Sequence, residues 1–422
     1  MVREALDELA AGLGQWQRTL VELCRIPSIS ATGFPPEEVR RSAQAMAQTL
    51  RDAGVEHVEI LEIPGVHPYV YGDWLHRPGA PTVLLYGHHD VMPPGRSEKW
   101  RSPAFEPAER DGRLYGRGTA DDKGGVLAHV AAVGSYLRAA KTLPLNVKFI
   151  VEGEEEIGSR NLVRFLAEYR ARMAADFIVL TDTRNWDVGH PGLIYQLRGI
   201  CQVDVEVQGL RQPLHSGYSG PVPDPVQILC AMIAGLRKPD GALNVPGLYA
   251  KVARPSAKQR ARIRKLPLSE AKFRKDAGML PGVRLCGCSL RSVPGMDARE
   301  AGRLIIKKLT TRPPHGVKVT ASLTSATPWW TTDPEGPAFE AARAALKAGF
   351  GKEAAMMGGG GTIGFVQPFA DLLKGAPCIL MGVADPHTQA HSENESLHLG
   401  DWVKAMRATI HLYDGLAKLP RR

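Results

Sequence analysis

Short apolar runs alternate with helix-period stretches through the first half of the chain, and this rhythm predicts strands and helices in turn. Residues 82–86 (TVLLY), 145–151 and 177–180 read as buried strands. Residues 124–137, rich in small side chains, and 161–173 read as helices between them. Strands separated by helices predict an α/β fold in which helices pack on a mostly parallel mixed sheet. Ligands in such sheets collect beyond the carboxyl ends of the strands. His88 and Asp90 follow the first strand, Glu155 and Glu156 the second, and Asp182 the third.

The pattern changes after residue 198. Residues 200–207 (ICQVDVEV) alternate polar and apolar, as a half-exposed strand does. Residues 226–236 and 298–309 predict helices, and 283–290 and 317–323 predict strands. These elements imply a small two-layer α/β domain over 199–328, inserted in a larger domain formed by 1–198 and 329–422. Beyond the insert, 337–350 is an alanine-rich helix and 378–383 (CILMGV) a buried strand leading to His391. The chain of 422 residues exceeds what one core usually spans, in keeping with two domains.

Composition narrows the picture little. Apolar residues make up 44% and charged residues 23%, ordinary for a globular protein. No apolar run is long enough to cross a bilayer. Residues 1–30 read as an amphipathic helix and not as a secretory signal. The six cysteines are scattered without a disulfide framework, and Cys286 and Cys288 read as packed side chains. A cytoplasmic location is expected. The net charge of +9 is local, because residues 251–275 hold ten Lys or Arg and one acid, Glu270. That segment reads as a solvated helix face; its one aromatic residue, Phe273, does not make the repeated interleaving that stacks bases. Neither nucleic acid nor a membrane is expected as a partner.

Five positions carry side chains that hard or borderline cations prefer: His88, Asp121, Glu156, Asp182 and His391. Each lies in a polar or Gly-rich turn: YGHHDVMPPG, YGRGTADDKGG, EGEEEIGS, VLTDT and AHSENE. One such residue alone is more often a cap or a satisfied polar group. Five in succession at strand ends or loops are not explained by capping. His387 stands four before His391, but Pro386 argues for a loop there; His89 points away from His88 on an extended segment and reads as packed or solvated. Glu154 reads as solvated or as a sheet-edge group.

These motifs resemble the co-catalytic metallopeptidases that include carnosinases, bacterial dipeptidases, glutamate carboxypeptidases, acetylornithine deacetylase and succinyl-diaminopimelate desuccinylase. The resemblance runs from Leu23-Cys24-Arg25-Ile26-Pro27-Ser28 to the His391 loop. It implies a catalytic domain with an inserted lid domain that makes a homodimer. It also implies two divalent metal ions, zinc first and manganese or cobalt as alternatives. Asp121 would bridge them, His88 and Asp182 completing one site and Glu156 and His391 the other. Glu155 matches the general base, and Asp90 the carboxylate that hydrogen-bonds His88. A cis peptide joining Asp121 to Asp122 is implied as well. In the lid, His215 matches the histidine that stabilises the oxyanion in a partner's active site. Arg291, in Ser289-Leu290-Arg291-Ser292-Val293-Pro294, matches the anchor for a substrate carboxylate. Gly361 and Thr362 match substrate-contact positions. The chain departs from the family where Gly358, Gly359 and Gly364 replace Arg-Glu and Pro around that loop, and where Tyr218-Ser219-Gly220-Pro221 replaces a double glycine.

Two cations roughly 3.5–4 Å apart share one water and lower its pKa. The expected activity is therefore hydrolysis of the amide bond beside a free carboxylate in dipeptides or short peptides. Asp at position 182 goes with peptidase members of the family and Glu with deacylating ones. An N-acyl amino acid hydrolase on the same machinery is the alternative. A non-catalytic binding protein is the rival from another class, and the complete ligand set with Glu155 argues against it.

Overall fold

Apolar runs of four to seven residues flanked by turn residues make strands when both faces find cover. Thr82–His88, Asn146–Glu152 and Phe177–Leu180 are such runs, and nearly every residue in them is buried. The computed structural model describes all residues except 219, 284–290, 361–363, 365 and 422, and describes Arg291 through its backbone. Gly361, Thr362, Cys286, Cys288 and all but the first residue of the strand expected over 283–290 lie outside the described residues.

The chain folds as two units. The larger comprises Met1–Tyr195, Thr332–Met357 and Phe365–Arg422; the smaller comprises Gln196–Thr331 and Gly358–Gly364. The sequence pattern had placed 358–364 with the larger one.

The larger unit is built on a large mixed sheet, with a small antiparallel one of Ala108–Arg110, Arg113–Tyr115 and Ser396–His398 beside it. From one edge the strands of the large sheet run Glu56–Leu61, Tyr69–Trp74, Asn146–Glu152, Thr82–His88, Phe177–Leu180, Cys378–Leu380 and Gly192–Leu197, with Ala355–Gly359 also pairing to the last. Pairing is parallel among the central four strands. The flanking pairs are antiparallel, so the sheet is less parallel than the sequence pattern implies. Parallel neighbours need a crossover, and antiparallel ones close with a short turn. Helix Lys123–Ala140 supplies the crossover between Thr82–His88 and Asn146–Glu152, which pair in register from Thr82↔Asn146 to His88↔Glu152.

That helix is buried along most of its length and packs against Val2–Cys24 and Leu399–Leu416. The first of these turns Ala5, Leu9, Trp16, Leu20 and Leu23 inward, the spacing of one helical face. Gly134 admits the Trp16 ring, since a Cβ there would stand 3.1 Å from it.

The smaller unit is a three-stranded antiparallel sheet with Gly199–Gln208 in the middle, flanked by Arg291–Ser292 and Lys318–Thr327. Its central strand alternates half-buried and exposed positions. Helix Ala298–Thr310 packs on the sheet, and Gly302 lets it approach Leu323. Val245, Leu248, Met296 and Ala301 form its small core. The basic segment forms two short exposed helices, Ala257–Arg264 and Glu270–Asp276.

His129 sits in the middle of the buried crossover helix, its Nδ1 3.0 Å from the Tyr413 hydroxyl. Burial depresses its pKa from 6.5 to about 3. The folded state thus holds this imidazole neutral where the unfolded chain would protonate it. Its stabilising share is complete above pH 6.5 and declines as pH falls toward 3, by roughly 2–3 kcal/mol at pH 4.5. Urea midpoints at pH 7 and 4.5 should therefore differ less in His129→Gln than in the wild type; an unchanged difference refutes the assignment.

Candidate metal centre

The functional side chains stand where the central strands end. His88 is the last residue of Thr82–His88 and is fully buried. Asp121 precedes helix Lys123–Ala140, and the Asp121–Asp122 peptide is cis. Glu155 and Glu156 open a single helical turn, Glu155–Ile157, just after Asn146–Glu152. Asp182 follows Phe177–Leu180. His391 comes from the loop after Cys378–Leu380 and takes a left-handed backbone, φ 63°. Non-glycine residues adopt that conformation infrequently.

Two overlapping triplets result. Ligand atoms of His88, Asp121 and Asp182 lie within 4.8 Å of one another, as do those of Asp121, Glu156 and His391. Asp121 belongs to both. Its Oδ1 lies 3.2 Å from His88 Nε2 and its Oδ2 2.9 Å from His391 Nε2, which is 3.1 Å from Glu156 Oε2. These are the five side chains singled out in the sequence, in the grouping that the resemblance implies.

Two glycines make room for the neighbouring Asp122. A Cβ at Gly125 would fall 1.9 Å from Asp122 Oδ1, and one at Gly87 would fall 2.6 Å from Asp122 Oδ2. Asp122 itself is buried and accepts the His88 amide through Oδ2 at 3.3 Å.

Asp90 does more than the resemblance assigns it. His88 Nδ1 is 3.0 Å from the Asp90 carbonyl oxygen and 3.4 Å from its carboxylate. The carboxylate accepts the Ser30 hydroxyl at 2.6 Å and the backbone amides of Glu155 and Glu156, each at 3.1 Å. One buried carboxylate thus orients the turn that carries both glutamates as well as the imidazole. Ser30 had no role in the sequence reading, although it lies two residues past the family-like Ile26-Pro27-Ser28 segment. Glu154 corrects an expectation. It is buried, and its carboxylate accepts the backbone and side-chain amides of Asn161 at 2.9 and 3.1 Å. His89 is packed, its Nε2 against the Pro68 carbonyl.

Crowding of acids in a largely buried site shows in their proton affinities. Burial, reinforced by neighbouring acids, pushes Asp182 and Glu155 well above the usual carboxylate range. Burial and then the Asp121 charge push Glu156 up to about 7. Burial also acts against ionised Asp121, but hydrogen bonds from His391 and His88 outweigh it and hold Asp121 below the usual range. The same contacts with Asp121 and Glu156 raise His391 to about 11.

The donors suit divalent cations. Ligands bound to one zinc at about 2.1 Å in a tetrahedron stand about 3.4 Å apart, close to the Asp121–imidazole spacings of 2.9 and 3.2 Å. A cation in each triplet would also offset the mutual repulsion of the acids.

The remaining candidates lie in the smaller unit. His215 is exposed beside the turn Ser216–Tyr218, its Nδ1 accepting the Gly217 amide at 3.1 Å. Arg291 pairs through its backbone with Ile200.

Parallel strands that deliver two overlapping imidazole–carboxylate triplets define a metal-dependent hydrolase of the α/β class. The model of peptidase family M20/M25/M40 matches residues 84–417, and the chain belongs to that family. It is 31% identical over 361 residues to a cysteinylglycine-S-conjugate dipeptidase of Corynebacterium striatum, covering 75% of this chain and 77% of that one. It is 26% identical to a Beta-Ala-His dipeptidase of Rattus norvegicus, covering 96% and 93%. Among solved structures, human carnosine dipeptidase 1 shares the fold, with a TM-score of 0.88, 24% identity and 99% of each chain covered. Dug1p from Saccharomyces cerevisiae gives a TM-score of 0.88 at 22% identity, covering 100% of this chain and 99% of that one. Among the described residues no helix is long and apolar enough to cross a membrane.

Replacing Asp90 by Asn leaves one acceptor oxygen where the carboxylate meets a hydroxyl, two amides and an imidazole. Asp90→Asn is expected to weaken cation binding by about 10–100-fold, read by competition with a chelator. Wild-type affinity in the variant contradicts the role.

Proposed function

We propose that the chain is a metal-dependent dipeptidase, hydrolysing the amide bond of dipeptides or short peptides beside a free carboxylate. The observation that carries this reading is the pair of triplets sharing Asp121, with Glu155 adjoining Glu156 on the same turn. The dipeptidase names of the relatives favour peptides over N-acyl amino acids.

His88, Asp121 and Asp182 would hold one cation, and Asp121, Glu156 and His391 the other; zinc fits the donors best, with manganese or cobalt acceptable. When bound, two such cations polarise the amide carbonyl and lower the pKa of the attacking water. Glu155 takes the proton from that water and later delivers it to the departing amine, serving as base and then as acid. Asp90 keeps the Glu155 amide, and hence the base, in register with His88.

From the smaller unit, Arg291 grips the substrate carboxylate with a bidentate pair, which rewards a chain end over an internal bond. Gly361 and Thr362 contact the substrate, and His215 stabilises the oxyanion across a homodimer formed through 199–328. A cytoplasmic location agrees with the four described cysteines, all free.

The test combines metal and base. Exhaustive chelation should abolish dipeptide hydrolysis, and added zinc, cobalt or manganese should restore it. Glu155→Gln should retain the cations and lose turnover by about 10²–10⁴-fold. Activity that survives chelation, or full turnover in Glu155→Gln, sinks the proposal. Arg291→Ala should raise KM for dipeptides far more than for their carboxyl-amidated counterparts. Equal effects on both would remove Arg291 as the anchor.

A further inference from the structure

Glu395 and Arg117 form a buried ion pair below the metal centre, with side chains 0% and 1% exposed and Nη1 to Oε2 at 2.7 Å. Glu395 is unusually well occupied. Its Oε2 also accepts the Gly118 amide at 3.2 Å, and its Oε1 accepts the amides of Ala120 and Asp121 at 3.1 and 3.2 Å. The Glu395 carbonyl takes the Gly116 amide at 3.0 Å. Arg117 adds a bond from Nη2 to the Pro93 carbonyl at 3.0 Å. The pair therefore ties together three loops: 90–95 after His88, 116–121 before the crossover helix, and 391–396 with His391. Arg117 and Glu395 lie 278 residues apart in the chain.

The placement is specific to the shared ligand. Asp121 must present one oxygen to each triplet, and its own amide is one of those that Glu395 holds. Glu395 stands four residues after His391, on the loop that brings His391 to the other oxygen of Asp121. A shift of Glu395 would move both partners of that contact.

We propose that Glu395, neutralised by Arg117, is a positioning residue that fixes the backbone of the shared carboxylate Asp121 against the His391 loop and so sets the affinity of the centre for cations. The inference rests on the metal-centre reading above. A merely structural ion pair would serve fold stability alone. Breaking one partner of such a pair destabilises strongly, whereas replacing both by apolar side chains of similar size is often neutral. Cation affinity separates the two roles.

The experiment strips the full-length chain of metal and titrates it with cobalt(II), following the visible absorption bands and competition with a chelator. Wild-type protein should take up about two equivalents. Glu395→Gln, folded by circular dichroism, should bind at least one equivalent about 10–100-fold more weakly, with altered bands. The double variant Arg117→Met with Glu395→Met removes the charge conflict and keeps the criterion usable should the single variant fail to fold. It should fold but melt below the wild type, because the amides of Gly118, Ala120 and Asp121 lose their acceptor, and it should show the same weakened binding. A folded variant that binds both equivalents with wild-type affinity and wild-type bands overturns the proposal. Failure of the wild type itself to bind cobalt would instead sink the metal-centre reading.

Discussion

Asp121 offers one oxygen to the imidazole of His88 and the other to that of His391, and the site is arranged around that sharing. Four more carboxylates, Asp122, Glu155, Glu156 and Asp182, crowd the same largely buried region, and burial raises the proton affinity of each. Like charges at low dielectric repel strongly. Such a cluster persists where the scaffold holds it rigidly and positive charge, as protons or cations, enters it. Two imidazoles supply part of that charge, and the donor geometry suits cations for the remainder.

The scaffold meets the first requirement with backbone amides and buried side chains instead of solvent. Asp90 holds the amides of Glu155 and Glu156, Glu395 those of Gly118, Ala120 and Asp121, and Asp122 that of His88. Each arrangement uses a carboxylate that binds no cation in the proposed scheme to aim a neighbour that does. The sheet meets the demand for convergence. His88, Glu155, Asp182 and His391 each follow a different central strand, and those four strands are adjacent in the order Asn146–Glu152, Thr82–His88, Phe177–Leu180, Cys378–Leu380. Parallel pairing puts their carboxyl ends on one side, which is where ligands gather in such sheets.

Much of this was legible in the sequence, for identifiable reasons. Runs such as Phe177–Leu180 and the alanine-rich Pro337–Phe350 carry periodicity and clear boundaries, and both appear at the predicted bounds. The helix expected over 161–173 breaks instead into Leu162–Glu168 and a tight turn, Arg170–Met173. The sequence predicts a mixed sheet without placing its antiparallel strands, because strand direction depends on connections that apolar patterning does not encode. The five cation-seeking side chains were legible because each stood in a polar or Gly-rich turn and matched a family motif. Glu154, Ser30, Arg117 and Glu395 were not assigned their roles, although Glu395 stands in the same motif as His391. A charged residue in a polar loop reads as solvated until its partner is known, and the partner of Glu395 is 278 residues away.

That blindness has a physical basis that bears on how the site evolves its precision. A buried Arg–Glu pair gains little net stability over a well-packed apolar pair, because desolvation offsets most of the attraction. Its value lies in direction. Each oxygen of Glu395 meets donors from fixed backbone positions, so the carboxylate has one orientation, and the Asp121 amide has one place to be. Apolar packing around Asp121 would fill the same volume without fixing the angle at which its carboxylate faces two imidazoles. Centres that share a single ligand between two sites tolerate little angular error, since a rotation that improves one contact degrades the other. The charged residues buried beneath the shared carboxylate follow from that geometric demand, and residue types alone, without their distant partners, cannot reveal it.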